Sequence, residues 1–200
     1  MTLFSEAIKI KDGEIHDIIF HQARFEHTFQ MNFGNRPTIQ LKDHIVLDKK
    51  HHSGLWKCRI CYGLQITSVE ITQYQKRKID TLRLVYDDEI DYRYKSVDRS
   101  AIDRLLLQKG SCDDIIIIKN GKVTDSSFSN IVFEKEGIFY TPISFLLPGT
   151  KRNKYIEAKS IIPTEIYERD IYNYQSIRLI NAMIDLEESP VIPVTNVFEK

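Results

Sequence analysis

The chain has 200 residues, 42% of them hydrophobic and 28% charged, which is ordinary globular usage and excludes collagen-like, disordered and disulfide-scaffold classes. Lys plus Arg and Asp plus Glu number 28 each, for a formal net charge of zero, so nothing suggests a surface built to neutralise a nucleic-acid backbone. The longest conspicuous apolar run, Ile115 to Ile118, is far short of the roughly 18 residues of a membrane span.

The start, MTLFSEAIKIKDGE, lacks the basic region, apolar stretch and cleavage site of a signal peptide. The expectation is a cytoplasmic protein with neither a nucleic acid nor a membrane as partner. Cys58, Cys61 and Cys112 form an odd set with no secretory signal, which argues against a disulfide framework.

Alternating apolar residues from Leu3 to Ile10, the Asp12-Gly13 turn and then Ile15, Ile18 and Ile19 predict an opening hairpin. Phe25, Phe29 and Phe33 recur every fourth residue and stop at Gly34, which predicts a helix over 21–33. A second helix is expected from Thr38, with Ile39, Leu41, Ile45 and Val46 inward. Three strands follow, at 56–62, 66–74 and 79–85, rich in β-branched and aromatic residues.

A helix is predicted over 98–108 and a strand buried on both faces at 115–118. Asn120-Gly121 marks a hairpin into 122–124, and Glu136-Gly137 a hairpin between 130–133 and 138–140. A further helix is expected near Thr150, then strands at 176–180 and 191–194. The rhythm is that of an α/β (α+β) protein with two lobes, 1–94 and 95–200.

Several local motifs have plain structural readings. Cys58 and Cys61 spell CxxC but fall in a predicted strand, not at the helix N-terminus that activates a thiol, and no matching zinc ligands follow. His51-His52 and Asp87-Asp88-Glu89 read as a solvated loop and an exposed turn, so no metal site is expected. Neither GxSxG nor a Walker A sequence is present.

A distributed, ordered set is more specific. It comprises Arg24; Tyr94-Lys95-Ser96-Val97-Asp98-Arg99; Thr124-Asp125 through Asn130; Leu147-Pro148-Gly149-Thr150-Lys151-Arg152; and Asn181-Ala182-Met183. In that order and spacing it resembles the class IV aminotransferases, the pyridoxal-phosphate family that includes branched-chain and D-amino-acid transaminases and 4-amino-4-deoxychorismate lyase. The match runs from about Phe4 to Pro193 and is most specific from Lys95 to Arg152.

The resemblance implies roles for these residues. Arg24, in an H-x-x-R with His21, falls at the phosphate-binding arginine, and Lys95 at the Schiff-base lysine. Asp125 falls at the acid facing the ring nitrogen, with Asn130 in its motif position. Gly149 and Thr150 fall at the phosphate-cradling amides, and Asn181-Ala182 resembles the lyase branch beside the phosphate. An amine, an acid and an anion receptor are what this cofactor requires, and a glycine followed by a hydroxyl residue at a helix start suits phosphate.

Two departures from the family stand out. Asp125 replaces the usual glutamate, and the chain is expected to lack the family's first segment, whose aromatic residue helps to receive substrate. Arg59 and Tyr92 are candidates to bind the substrate carboxylate instead.

The resemblance thus implies an N-terminally shortened, two-lobed fold of the D-amino-acid aminotransferase type, working as a homodimer on an amino acid through Lys95. The alternatives are a lyase-type β-elimination on an aminodeoxychorismate-like substrate that releases pyruvate, a cofactor binder with reduced turnover, and an interaction module.

Overall fold

A computed structural model describes residues 2–199. The chain forms two compact units: residues up to Lys76 together with Tyr94–Asp98, and Arg77–Arg93 together with the chain from Arg99 onward. In the first unit β1 (Phe4–Lys11), β2 (Glu14–Ile15), β3 (Leu55–Tyr62) and β4 (Ile66–Gln73) make an antiparallel sheet in the order β2-β1-β3-β4, beside helix α1 (Ile18–Phe33). Strand side chains alternate between faces, so Phe4, Ile8 and Ile10 of β1 share one face and join Phe25 and Phe29 of α1 in a buried core. Residues 21, 24, 25, 28 and 29 form the buried stripe of α1, the spacing of one helical face. Gly34 closes the helix at φ 80° and donates its N–H to Gln30 O at 3.0 Å, a left-handed cap that suits glycine.

Two expectations for this unit are corrected. The second arm of the opening hairpin is only the two residues of β2, because left-handed Asp17 at φ 54° turns the chain into α1, and Ile19 faces solvent. The helix expected from Thr38 is a single 3-10 turn, Leu41–His44. Its backbone is served by the Gln22 side chain instead, which donates to Ile39 O at 3.0 Å and accepts from Leu41 N at 2.9 Å. Leu41 and Ile45 are buried as expected, whereas Val46 is exposed.

The second unit holds a nine-stranded sheet. Its elements are β5 (Leu82–Tyr86), α2 (Ser100–Leu106), β6 (Asp114–Lys119), β7 (Lys122–Ser126), β8 (Asn130–Lys135), β9 (Ile138–Pro142), α3 (Thr150–Glu157), β10 (Ile162–Thr164), β11 (Ser176–Ile180), β12 (Ile192–Pro193) and β13 (Val197–Phe198). The order is β10-β9-β8-β7-β6-β5-β13, with β11 also paired to β8 and β12 to β11. Ile115 to Ile118 are buried on both faces of β6, which runs parallel to β5, the arrangement that calls for a continuous apolar strand. Asn120 and Gly121 both have positive φ, 52° and 71°, as the tight β6–β7 hairpin demands. Among the described residues no helix is long and apolar enough to cross a membrane.

Candidate active site

In the second unit Asp125 ends on the buried side of β7, and Asn130 opens β8 across a turn. Ser126 and Ser129 tighten that turn: Ser126 N donates to Ser129 O at 2.9 Å, and Ser129 N to Ser126 Oγ at 3.1 Å. Asp125 Oδ1 accepts from Asn130 Nδ2 at 2.8 Å, and Oδ2 accepts from the backbone N–H groups of Leu146 and Leu147 at 3.0 and 2.9 Å. Burial pushes this carboxyl up to about 6, although the three hydrogen bonds and the charge of Arg152 pull the other way. Three bonds leave about one of the four acceptor positions of a carboxylate for another donor.

Asn130 ties this acid to the start of α3. Its Nδ2 also donates to Leu147 O at 2.9 Å, and its Oδ1 lies 1.8 Å from where a Cβ on residue 149 would stand. Only glycine fits there. Gly149 is the N-cap of α3 and brings no capping side chain, so the first-turn amides and the positive end of the helix dipole are presented without a competing side-chain acceptor. Thr150, Lys151 and Arg152 are all buried. Lys151 is ion-paired with Asp185; Arg152 stacks 4.3 Å from the Phe145 ring centroid and donates to Pro142 O at 2.8 Å. Asn181 joins the same block, donating from Nδ2 to Ser129 Oγ at 2.9 Å and accepting from Met183 N at 2.8 Å; Ala182 sits between them, in the turn after β11.

In the first unit Arg24 is buried and bound edge-on by Glu6: Nε donates to Oε1 at 2.8 Å and Nη2 to Oε2 at 2.6 Å. His21 Nδ1 lies 2.5 Å from Glu6 Oε2. Burial alone would raise the Glu6 carboxyl, but the Arg24 charge and the bonds from His21 and Arg24 hold it down to about 2. Burial lowers His21 against the pull of Glu6, and the charges of Arg24 and Lys95 lower it further. Neutral His21 therefore donates from Nδ1 to an ionised Glu6.

Lys95 lies in the segment that returns to this unit. It is half-buried and left-handed at φ 54°. Its carbonyl accepts from Ser5 N at 3.1 Å, and Val97 N donates to Leu3 O at 2.8 Å, so 95–97 is hydrogen-bonded to the start of β1, where Phe4 bridges Ser96. The first unit thus carries the amine and the guanidinium, and the second carries the acid and the glycine-capped helix.

The two substrate candidates fall in different units. Arg59 is half-buried on β3, opposite Ala7 and Glu70. Tyr92 Oη accepts from Arg99 Nη1 at 3.3 Å and lines a cavity of about 330 Å³ with Phe145 and Leu146. Cys58 and Cys61 point to opposite faces of β3, and burial pushes the Cys58 thiol up to about 11, the state of an inert core cysteine. Glu6 was not among the sequence candidates; its signal was a charge at an inward position of β1, between Phe4 and Ile8. The Leu146 and Leu147 amides had no side-chain signature to betray them.

Comparison with known proteins identifies the family and the fold. The family model for class IV amino-transferases matches residues 3–197. An uncharacterised protein of Haemophilus influenzae is 38% identical over 180 residues, covering 89% of this chain and 96% of its own. A crystal structure from Haemophilus somnus, of a protein named as a candidate 4-amino-4-deoxychorismate lyase, is 36% identical and superposes with a TM-score of 0.86, covering 93% of this chain and 98% of that one. At 15% identity, the branched-chain amino acid aminotransferase of Escherichia coli shares the fold, with a TM-score of 0.72 over 98% of this chain and 76% of its own. The chain belongs to the class IV aminotransferase family, and its two-lobed α/β fold is the one those structures share.

Proposed function

We propose that this family member is a pyridoxal-phosphate enzyme whose reaction is a lyase-type β-elimination on an aminodeoxychorismate-like substrate, releasing pyruvate. The observation that carries this choice over transamination is the 36% identity, across nearly the whole of both chains, to the Haemophilus somnus protein that bears the lyase name. The Asn181-Ala182-Met183 run, which resembles the lyase branch, points the same way.

The residues present fit the cofactor. Gly149 is a position that a Cβ would fill, at the start of a helix that favours a phosphate dianion. Asp125 is a buried acid with room for one more donor. Arg24 supplies a guanidinium of which Glu6 takes two of five N–H groups. When bound, the cofactor supplies an electrophilic aldehyde and a protonated ring that draws electrons from the substrate carbon.

Each residue then has a task. The Lys95 amine would hold the cofactor's aldehyde carbon and would be the base that moves the proton of the substrate carbon. Arg24 and the 149–150 amides would each serve as a phosphate anchor. Asp125 would keep a proton on the ring nitrogen, and Asn130 with the Leu146 and Leu147 amides fixes the direction of its carboxylate. Arg59 and Tyr92 are the substrate-carboxylate candidates. The reading extends to a cytoplasmic homodimer.

The test supplies purified protein and cofactor with aminodeoxychorismate in one arm and with D- and L-amino acids plus a keto-acid acceptor in the other. Pyruvate released from the first arm alone supports the lyase. Amino-group transfer in the second arm makes it a transaminase, and a bound cofactor with no turnover in either arm makes it a binder.

A further inference from the structure

Glu6 occupies a place the strand pattern reserves for an apolar residue. Its neighbours of the same parity on β1, Phe4, Ile8 and Ile10, all enter the apolar core, and Glu6 itself is fully buried. A buried ion pair contributes little net stability compared with an apolar replacement, because desolvating both charges offsets their attraction. Stability therefore does not account for a carboxylate here. Geometry does: two parallel N–H···O bonds in one plane fix the guanidinium as a single bond cannot, and the third contact, from His21, fixes the carboxylate in turn.

We propose that Glu6 is a positioning residue for phosphate recognition. It sets the plane of Arg24, and hence the direction of the N–H groups not bound to Glu6, and balances the charge of that arginine before the cofactor arrives. The inference rests on the reading of Arg24 as a phosphate anchor. It also links the anchor to the amine, because Ser5, the residue before Glu6, donates its N–H to the Lys95 carbonyl. Consecutive residues of β1 thus fix both groups, one from its backbone and one from its side chain.

The test titrates the cofactor-free protein with pyridoxal phosphate and with pyridoxal, which lacks the phosphate. The dissociation constant of pyridoxal divided by that of pyridoxal phosphate is a ratio that reports phosphate recognition alone. Glu6→Gln leaves Arg24 unbalanced and is prone to misfold; Glu6→Asp keeps the charge but withdraws the carboxylate, so it carries the test.

The expected result is that Glu6→Asp lowers the ratio about tenfold, the loss of one charge-assisted bond, while pyridoxal affinity changes by less than about threefold. Arg24→Ala should lower the ratio at least as far. If Arg24→Ala collapses the ratio and Glu6→Asp leaves it intact while lowering the melting temperature, Glu6 is merely structural and the proposal fails. If Arg24→Ala leaves the ratio unchanged, the phosphate reading of Arg24 is wrong and the proposal falls with it.

Discussion

The side-chain amide of Asn130 donates to Asp125 Oδ1 at 2.8 Å and to the carbonyl of Leu147 at 2.9 Å. Two stretches separated by some 17 residues, the Thr124–Asn130 run and the Leu147-Pro148-Gly149-Thr150 run, are thereby joined by one side chain. The acid and the helix start cannot shift independently.

Gly149→Ala tests that coupling. The added Cβ would stand 1.8 Å from Asn130 Oδ1, so Asn130 must swing away and release Asp125. Strain of this kind costs about 1–3 kcal/mol. Thermal denaturation should show the loss, and cofactor affinity should fall with it. A variant with wild-type melting temperature and affinity would show that the contact relaxes freely.

Asp125 and Glu6 should give the stability profile opposite slopes in acid. Asp125 is raised from 3.8 to about 6, so between those values the folded state binds more protons than the unfolded one. Stability contributed by Asp125 is therefore present at low pH and is lost as pH rises through that window, by about 3 kcal/mol at most. Glu6 is lowered from 4.5 to about 2, so its contribution is present above 4.5 and is lost as pH falls below it. Melting temperature measured from pH 3 to 7 in Asp125→Asn should lose the decline between about 4 and 6 and keep the acid-side loss due to Glu6. An unchanged profile in the variant would contradict the assignment to Asp125.

Lys95 at φ 54° carries a left-handed backbone that costs a residue with a Cβ about 1–2 kcal/mol relative to glycine. Its carbonyl bond to Ser5 does not depend on the side chain. Lys95→Ala should therefore keep a melting temperature near wild type, and Lys95→Gly should be the more stable of the two variants. Urea denaturation of the pair measures the difference; equal midpoints would mean that the strain is absent or offset by the flexibility of glycine.

Much of the fold was legible because its signals are local. Phe25 and Phe29 announced α1, Ile115 to Ile118 the strand buried on both faces, and Asn120-Gly121 the hairpin. The helix expected from Thr38 failed for a reason no local pattern contains: Gln22, some 19 residues upstream, satisfies the backbone at Ile39 and Leu41. The candidate site drew four of its residues, Arg24, Lys95, Asp125 and Gly149, from their order along the chain. It was illegible where backbone amides act, as at Leu146 and Leu147, and where a charge hides in an apolar alternation, as at Glu6.

Covalent capture of the cofactor by one amine is the central step of the proposed chemistry. Purified protein incubated with pyridoxal phosphate, reduced with borohydride, digested and mapped by mass should carry the cofactor on the peptide containing Lys95, and the Lys95→Ala protein should carry none. Label on a different lysine, or a colourless protein that takes up no cofactor at all, would contradict it.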